Sequence, residues 1–222
     1  MAAELDGPRL EPRTRGAAKK LVVFLHGYGA DGNDLIEIGR AWQQILPDAA
    51  FVSPNAPERC AGAPMGRQWF PLTFRDPDER WKGVNAAAPI LNRFLDAELA
   101  RRNLPPSALA LVGFSQGTMM ALHVGLRRPT APAAIVGYSG VFVLPDGAEP
   151  EVVAAEIKSR PPVLLIHGDQ DELIPVQALF HATQALAALD VPAEWHISAG
   201  IGHGIDQEGL RQGGEFLARR RF

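Results

Sequence analysis

Residues 109–128 read LALVGFSQGTMMALHVGLRR, and the character of the chain changes halfway along them. The opening positions are apolar in succession, which suits a strand buried on both faces rather than one exposed on one side. From Gln116 onward the apolar residues of MMALHVGL support a helix running to about Arg128, where Pro129 ends it. Gly113-Phe114-Ser115-Gln116-Gly117 joins the two and fits G-x-S-x-G, a turn tight enough to project a serine off the strand end. Glycines two residues to either side keep side chains out of that turn. The helix behind it offers free N–H groups to negative charge forming on a substrate. An ordinary glycine turn would explain the five residues alone, but a strand before and a helix after favour a nucleophile at Ser115.

Working outward, short apolar runs alternate with segments of helical period. Strands are expected at 21–25, 50–53, 109–113, 134–137, 163–167 and 194–197. Asp34 and Glu37 have capping-box spacing, and Leu35, Ile38, Trp42 and Ile45 fall on one face before Pro47 stops the helix. A second helix runs through Ile90, Leu91, Phe94, Leu95 and Leu99, and others span about 175–189 and 206–219. The alternation predicts an α/β protein, a mostly parallel central sheet covered by helices. Residues 54–83 are rich in proline and glycine and lack a clean period, so a long functional loop is expected there.

A chain of 222 residues holds one sizeable domain, expected at 20–222 behind a flexible leader at 1–19. Its net charge of -3 gives no electrostatic pull toward nucleic acid or anionic lipid. Arg219, Arg220 and Arg221 read as a solvated helix end. Cys60 is the only cysteine, so no intrachain disulfide forms and a cytoplasmic location is expected. The N-terminus has no apolar segment of the secretory kind. The longest apolar run, 132–144, is interrupted by Gly137, Ser139 and Gly140 and is too short to cross a bilayer. No paired cysteines or H-E-x-x-H motif suggests a metal, so neither metal nor cofactor is expected.

A serine hydroxyl needs a base within hydrogen-bond reach. His123, His181 and His196 lie inside helices or a strand, where structural roles are usual. His26 and His167 end strands but precede the place where the chain order nucleophile, acid, base would put the base. His203, in Gly200-Ile201-Gly202-His203-Gly204 between the last strand and the last helix, fits that order. Of the acids between Ser115 and His203, Asp171 and Asp169 follow the strand that ends at His167. Asp171 is preferred, Asp169 reading as a turn residue, and Asp146 and Asp190 read as caps or turns. Backbone donors for an oxyanion are expected at Gln116, after the serine, and at Tyr28 in the glycine-rich loop His26-Gly27-Tyr28-Gly29-Ala30-Asp31-Gly32. No phosphate-loop pattern occurs there.

Taken in order, LHGYGADGND, SPNAP, QWF, GFSQG, HGDQDELIP and GIGHG resemble the acyl-protein thioesterase branch of the α/β-hydrolase superfamily, the phospholipase/carboxylesterase family. The resemblance spans about residues 20–219. It implies an α/β-hydrolase fold with helices on both faces of the sheet, a triad of Ser115, Asp171 and His203, donors at Tyr28 and Gln116, and no cofactor. The expected substrate is a small-molecule acyl ester or thioester, or an acylated protein, cleaved through an acyl-enzyme. Tyr28 stands where leucine is common in such proteins.

Trp69, Phe70, Val141, Phe142 and Leu173 are expected as pocket walls because they follow strands on the catalytic side or neighbour the acid. Epoxide or halide chemistry would want aspartate at the elbow, and a non-catalytic binding module would usually have lost a triad member. No lid or anchor suggests membrane insertion, and the sequence leaves open whether the chain is a homodimer.

Overall fold

The computed structural model describes residues 5–73 and 75–220. In chain order its elements are β1 (Arg9–Leu10), β2 (Lys20–Leu25), α1 (Gly32–Trp42), β3 (Ala49–Val52), β4 (Glu58–Arg59), β5 (Arg67–Gln68) and α2 (Glu79–Arg101). They continue as β6 (Leu109–Phe114), α3 (Gln116–Arg127), β7 (Ala134–Tyr138), β8 (Val163–Gly168), α4 (Gln177–Ala188), β9 (Ala193–Ser198) and α5 (Gln207–Ala218). Seven strands form one sheet in the order β1-β3-β2-β6-β7-β8-β9. Every neighbouring pair is parallel except β1 against β3.

The apolar runs follow from burial on both faces. Along β2, Leu21, Val23 and Leu25 join a cluster with Leu91, Met119, Leu122 and Leu179, from α2, α3 and α4. Val22 and Phe24 point the other way, into a second cluster with Leu35, Trp42 and Phe216 from α1 and α5. Each large side chain so buried contributes about 1.5–3 kcal/mol.

This layering also fixes where a ligand can bind. From β2 the chain leaves toward α1 on one face, and from the adjacent β6 it leaves toward α3 on the other. Two neighbouring parallel strands whose exits diverge leave a crevice at their carboxyl ends. His26–Asp31 and Ser115 border it.

Four expectations need correction. The cap of α1 is Asp31, whose side chain accepts from the Asn33 N–H at 2.8 Å, and Glu37 instead binds Arg40. Ile36 joins Leu35 and Trp42 on the buried face of that helix and Ile38 packs half-buried against the same cluster, while Ile45 lies beyond the helix and is 46% exposed. The segment 54–83 is not loop throughout, because β4 and β5 pair within it and α2 begins inside it.

The leader, finally, is ordered from residue 5 on. An edge strand leaves N–H and C=O groups unpaired, and β1 supplies partners for β3. Leu5 is buried, the Ser53 N–H donates to the Pro8 carbonyl, and Arg9 reaches the buried Glu98 at 2.8 Å. Residues 1–4 and Arg221 of the terminal arginine cluster lie outside the described residues, while Arg219 and Arg220 both bind Glu194.

Candidate active site

Ser115 has φ 54° and ψ -115°, a conformation an L residue avoids unless its surroundings hold it there. What holds it is the sheet. Its N–H donates to the Tyr138 carbonyl at 2.9 Å, and the Thr118 hydroxyl donates to the same oxygen, also at 2.9 Å. The flanking glycines are sterically required, since a Cβ on Gly117 would lie 1.7 Å from the Leu25 carbonyl oxygen. One on Gly113 would meet the Gly117 carbonyl carbon at 2.4 Å.

Asp171 and His203 come together from loops after β8 and β9. His203 Nδ1 lies 2.7 Å from Asp171 Oδ2, and the His203 ring packs on Phe114, the residue before Ser115, with centroids 4.9 Å apart. The other carboxylate oxygen, Oδ1, accepts from the Leu173 and Ile174 N–H groups at 3.0 and 2.9 Å. The Asp171 side chain is fully buried and that of His203 is 16% exposed. Asp169 does turn work, its carboxylate accepting from the Gly200 N–H at 2.6 Å. Together with Gln170 N–H on the Ile201 carbonyl, this bond joins the acid loop to the base loop. Asp146 meets Asp78 through its backbone N–H, and Asp190 follows α4 at positive φ.

The remaining histidines divide as follows. His26 is buried, its Nε2 accepting from the Ala56 N–H and its Nδ1–H donating to the Gly27 carbonyl, and burial lowers its pKa. His123 packs edge-on against Trp81, and burial, with Arg127 adding to it, lowers its pKa to about 3. His181 is exposed on α4 and His196 half-buried on β9. His167, which the sequence offers only as a rejected base, stands on the far side of Asp171, its Nε2 3.3 Å from Oδ2. Its last-in-strand position gave no signal of that partner.

The expected oxyanion loop lies alongside the serine, because a Cβ on Gly27 would be 3.4 Å from Ser115 Cβ. β5 braces this loop from outside. The Gly29 N–H donates to the Arg67 carbonyl and the Arg67 N–H to the Ala30 carbonyl, at 2.9 and 2.7 Å. The Cys60 thiol beside the Tyr28 phenol, and then burial, push that tyrosine's pKa up. Gln116 has a second function the sequence did not reveal. Its buried amide accepts from the Trp69 N–H and donates to the Phe70 carbonyl, while Trp69 Nε1–H donates to the His26 carbonyl. The segment after β5 is thereby clamped to both sides of the crevice.

The five expected wall residues do not form one wall. Trp69 and Phe70 are 1% exposed and help line a cleft of about 410 Å³ with Gly83, Ala87 and Ile90 of α2. Val141 and Phe142 are half-buried and line a different cleft of about 310 Å³ with His181 and Ala182. Leu173 is 75% exposed beside the acid. Among the described residues, no cluster of three or more His, Cys, Asp or Glu side chains could hold a metal ion, and no helix is long and apolar enough to cross a membrane.

A serine forced into a strained strand-to-helix turn above a sheet of this order marks an α/β hydrolase. Residues 12–220 match the phospholipase/carboxylesterase family. The esterase YpfH of Escherichia coli is 28% identical over 195 residues, covering 87% of this chain and 80% of that protein. Acyl-protein thioesterase 1 of Gibberella zeae is 25% identical over 231 residues, covering 97% and 98%. The crystal structure of esterase PE8 superposes with a TM-score of 0.92 at 47% identity, covering 99% of this chain and all of that one. The chain belongs to the phospholipase/carboxylesterase family and is a carboxylic ester hydrolase.

Proposed function

We propose that the protein hydrolyses acyl esters and thioesters through Ser115, His203 and Asp171 by way of an acyl-enzyme. The observation that carries this reading is the 2.7 Å contact between His203 Nδ1 and the buried Asp171, with the imidazole packed at a tilt against the residue preceding Ser115. A carboxylate on Nδ1 keeps that nitrogen protonated and leaves Nε2 as the acceptor, the tautomer a general base requires.

The reaction then runs in two displacements. His203 Nε2 takes the Ser115 proton as Oγ bonds to the acyl carbon. The backbone N–H groups of Tyr28 and Gln116 hold the oxyanion. The imidazolium returns its proton to the departing alcohol or thiol, and water, deprotonated by the same nitrogen, releases the carboxylic acid from Ser115. The substrate is a small acyl ester or thioester; the thioesterase relatives favour an acylated protein as a second reading.

Ser115→Ala should lower kcat by about a million-fold, the loss seen when a triad serine is removed elsewhere. A fluorophosphonate should label the native protein at Ser115 and not the variant. Near-normal turnover of a folded Ser115→Ala protein would end the proposal, and kcat/KM on matched small oxygen and sulfur esters against that on an S-acylated protein separates the two substrate readings.

A further inference from the structure

β8 ends in His167-Gly168, and the histidine side chain is 2% exposed. Two acceptors face its Nε2: the Ile174 carbonyl oxygen at 2.7 Å and Asp171 Oδ2 at 3.3 Å. A nitrogen facing two oxygens carries the proton, so the ring is an Nε2–H donor whose hydrogen bond goes to Ile174 and whose N–H lies in electrostatic contact with the acid. Ile174 is tied at both ends, since its own N–H donates to Asp171 Oδ1 at 2.9 Å. Its carbonyl precedes Pro175, at the mouth of α4. The His167 bond to Ile174, the Ile174 bond to Asp171 and the 3.3 Å approach of His167 Nε2 to Oδ2 together hold the plane of the carboxylate.

We propose that His167 is a positioning residue which, by pinning Ile174 and lying against Oδ2, aims the Asp171 carboxylate at His203. The assignment rests on Asp171 and His203 acting as proposed above. Both oxygens of the acid are committed: Oδ1 to two backbone N–H groups, Oδ2 to the His203 imidazole, with the His167 imidazole 3.3 Å away. Rotating the carboxylate to follow a straying His203 would break the Oδ1 bonds, so the base is held in one orientation by a rigid partner. Removing the His167 donor frees the Ile174 carbonyl, loosens the loop at 171–174 and lets Oδ2 drift from the 2.7 Å position. The chemistry is sensitive to such drift, because an error of about 1 Å in a reacting group costs up to about a hundred-fold in rate.

Two substitutions test this. His167→Leu keeps much of the bulk and removes the donor; His167→Gln restores an N–H near the Nε2 position without an ionisable ring. The leucine variant should lose up to about a hundred-fold in kcat with KM little changed, and the glutamine variant should recover most of it. The low-field proton resonance of His203 Nδ1–H reports on the same contact. It should shift or broaden in His167→Leu and return in His167→Gln, a change that mere loss of packing would not reverse. A folded His167→Leu protein with native kcat and a native His203 resonance overturns the proposal, as does a glutamine variant no better than the leucine one. If the leucine variant fails to fold, nitrogen NMR of the wild-type His167 ring decides, since the Nδ1–H tautomer would refute the assignment and the Nε2–H tautomer, joined to rescue by glutamine, upholds it. Loss of activity in Asp171→Asn with none in His167→Leu strikes this inference alone; activity retained in both removes the triad reading as well.

Discussion

Replacing Asp171 by asparagine is a severe test because the carboxylate has no spare acceptor. The new amide has two orientations. With its oxygen in place of Oδ2, its NH2 group faces the Leu173 and Ile174 N–H groups, now 3.0 and 2.9 Å from a donor. Leaving two part-buried N–H groups unpaired costs up to about 1–3 kcal/mol each. With its oxygen in place of Oδ1, those bonds survive and the NH2 group lies where Oδ2 was, 2.7 Å from His203 Nδ1. His203 relieves that clash by moving its proton to Nε2, and His167 keeps its hydrogen bond to the Ile174 carbonyl while losing only its 3.3 Å contact, so the second orientation wins. The protein stays folded, but Nε2 is now an N–H and cannot accept the Ser115 proton. In a comparable triad this error costs about 10⁴ in kcat, or about 5 kcal/mol of transition-state stabilisation. Asp169→Asn should behave differently, since its amide oxygen can still accept from the Gly200 N–H and should leave kcat within a few-fold. The assay is initial-rate hydrolysis of a chromogenic short-chain ester by both purified variants, with denaturant midpoints to confirm folding. A folded Asp171→Asn enzyme within about ten-fold of native kcat, or a collapse in Asp169→Asn instead, refutes the reasoning.

Two further predictions concern stability. His123 is buried neutral with a pKa of about 3 against 6.5 in the unfolded chain, so the unfolded state gains a proton first as pH falls. Stability should drop by about 2 kcal/mol between pH 7.5 and 5 from this group. Urea midpoints of His123→Leu should lack that part of the slope, and an unchanged slope would refute it. Glu98, 5% exposed, is shared by Arg9 and by Arg102, itself 6% exposed. Glu98→Ala leaves Arg102 and Arg9 with only the exposed Glu11 and Asp6 as acidic partners and should cost about 1–3 kcal/mol by chemical denaturation. A loss below about 1 kcal/mol would show that the N-terminal segment is not anchored there.

Legibility in the sequence tracks how local the determining physics is. Five of the expected strands, β2, β3, β6, β7 and β8, were readable because burial on both faces leaves a run of apolar residues that no neighbour can mask. The elbow was readable because its glycines answer to contacts within a few residues or to the next strand. The start of α2 was not. Gly83 reads as a loop residue, yet it lies inside the helix because the Phe70 ring occupies the space a Cβ would need, 2.3 Å away. A packing glycine and a turn glycine look alike in one dimension. The α1 cap failed for a related reason: Asp34 and Glu37 have the right spacing, but Asp31 has the extended backbone, φ -143°, ψ -175°, from which its side chain reaches back to the helix. β1 and the His167 contact depend on partners distant in the chain or hidden by a turn, and nothing in their own residues announces them.

The proposed nucleophile and the proposed base are not equally well supported, and this bears on how the site would fail. Ser115 follows β6, which is paired on both sides, to β2 and β7. His203 follows β9, the terminal strand of the sheet, paired only to β8. A strand with one partner opens at lower free energy than one with two. The cross-links between the acid and base loops, Asp169 to Gly200 and Gln170 to Ile201, compensate at the end that matters, and Asp206 ties the far end of the base loop to Ser198 and Gly209. Gly168 belongs to the same brace, since a Cβ there would lie 2.2 Å from the Ile201 carbonyl oxygen. Loosening these contacts would release the histidine while the strained serine stays in place, so a partly opened molecule keeps its nucleophile and loses its base.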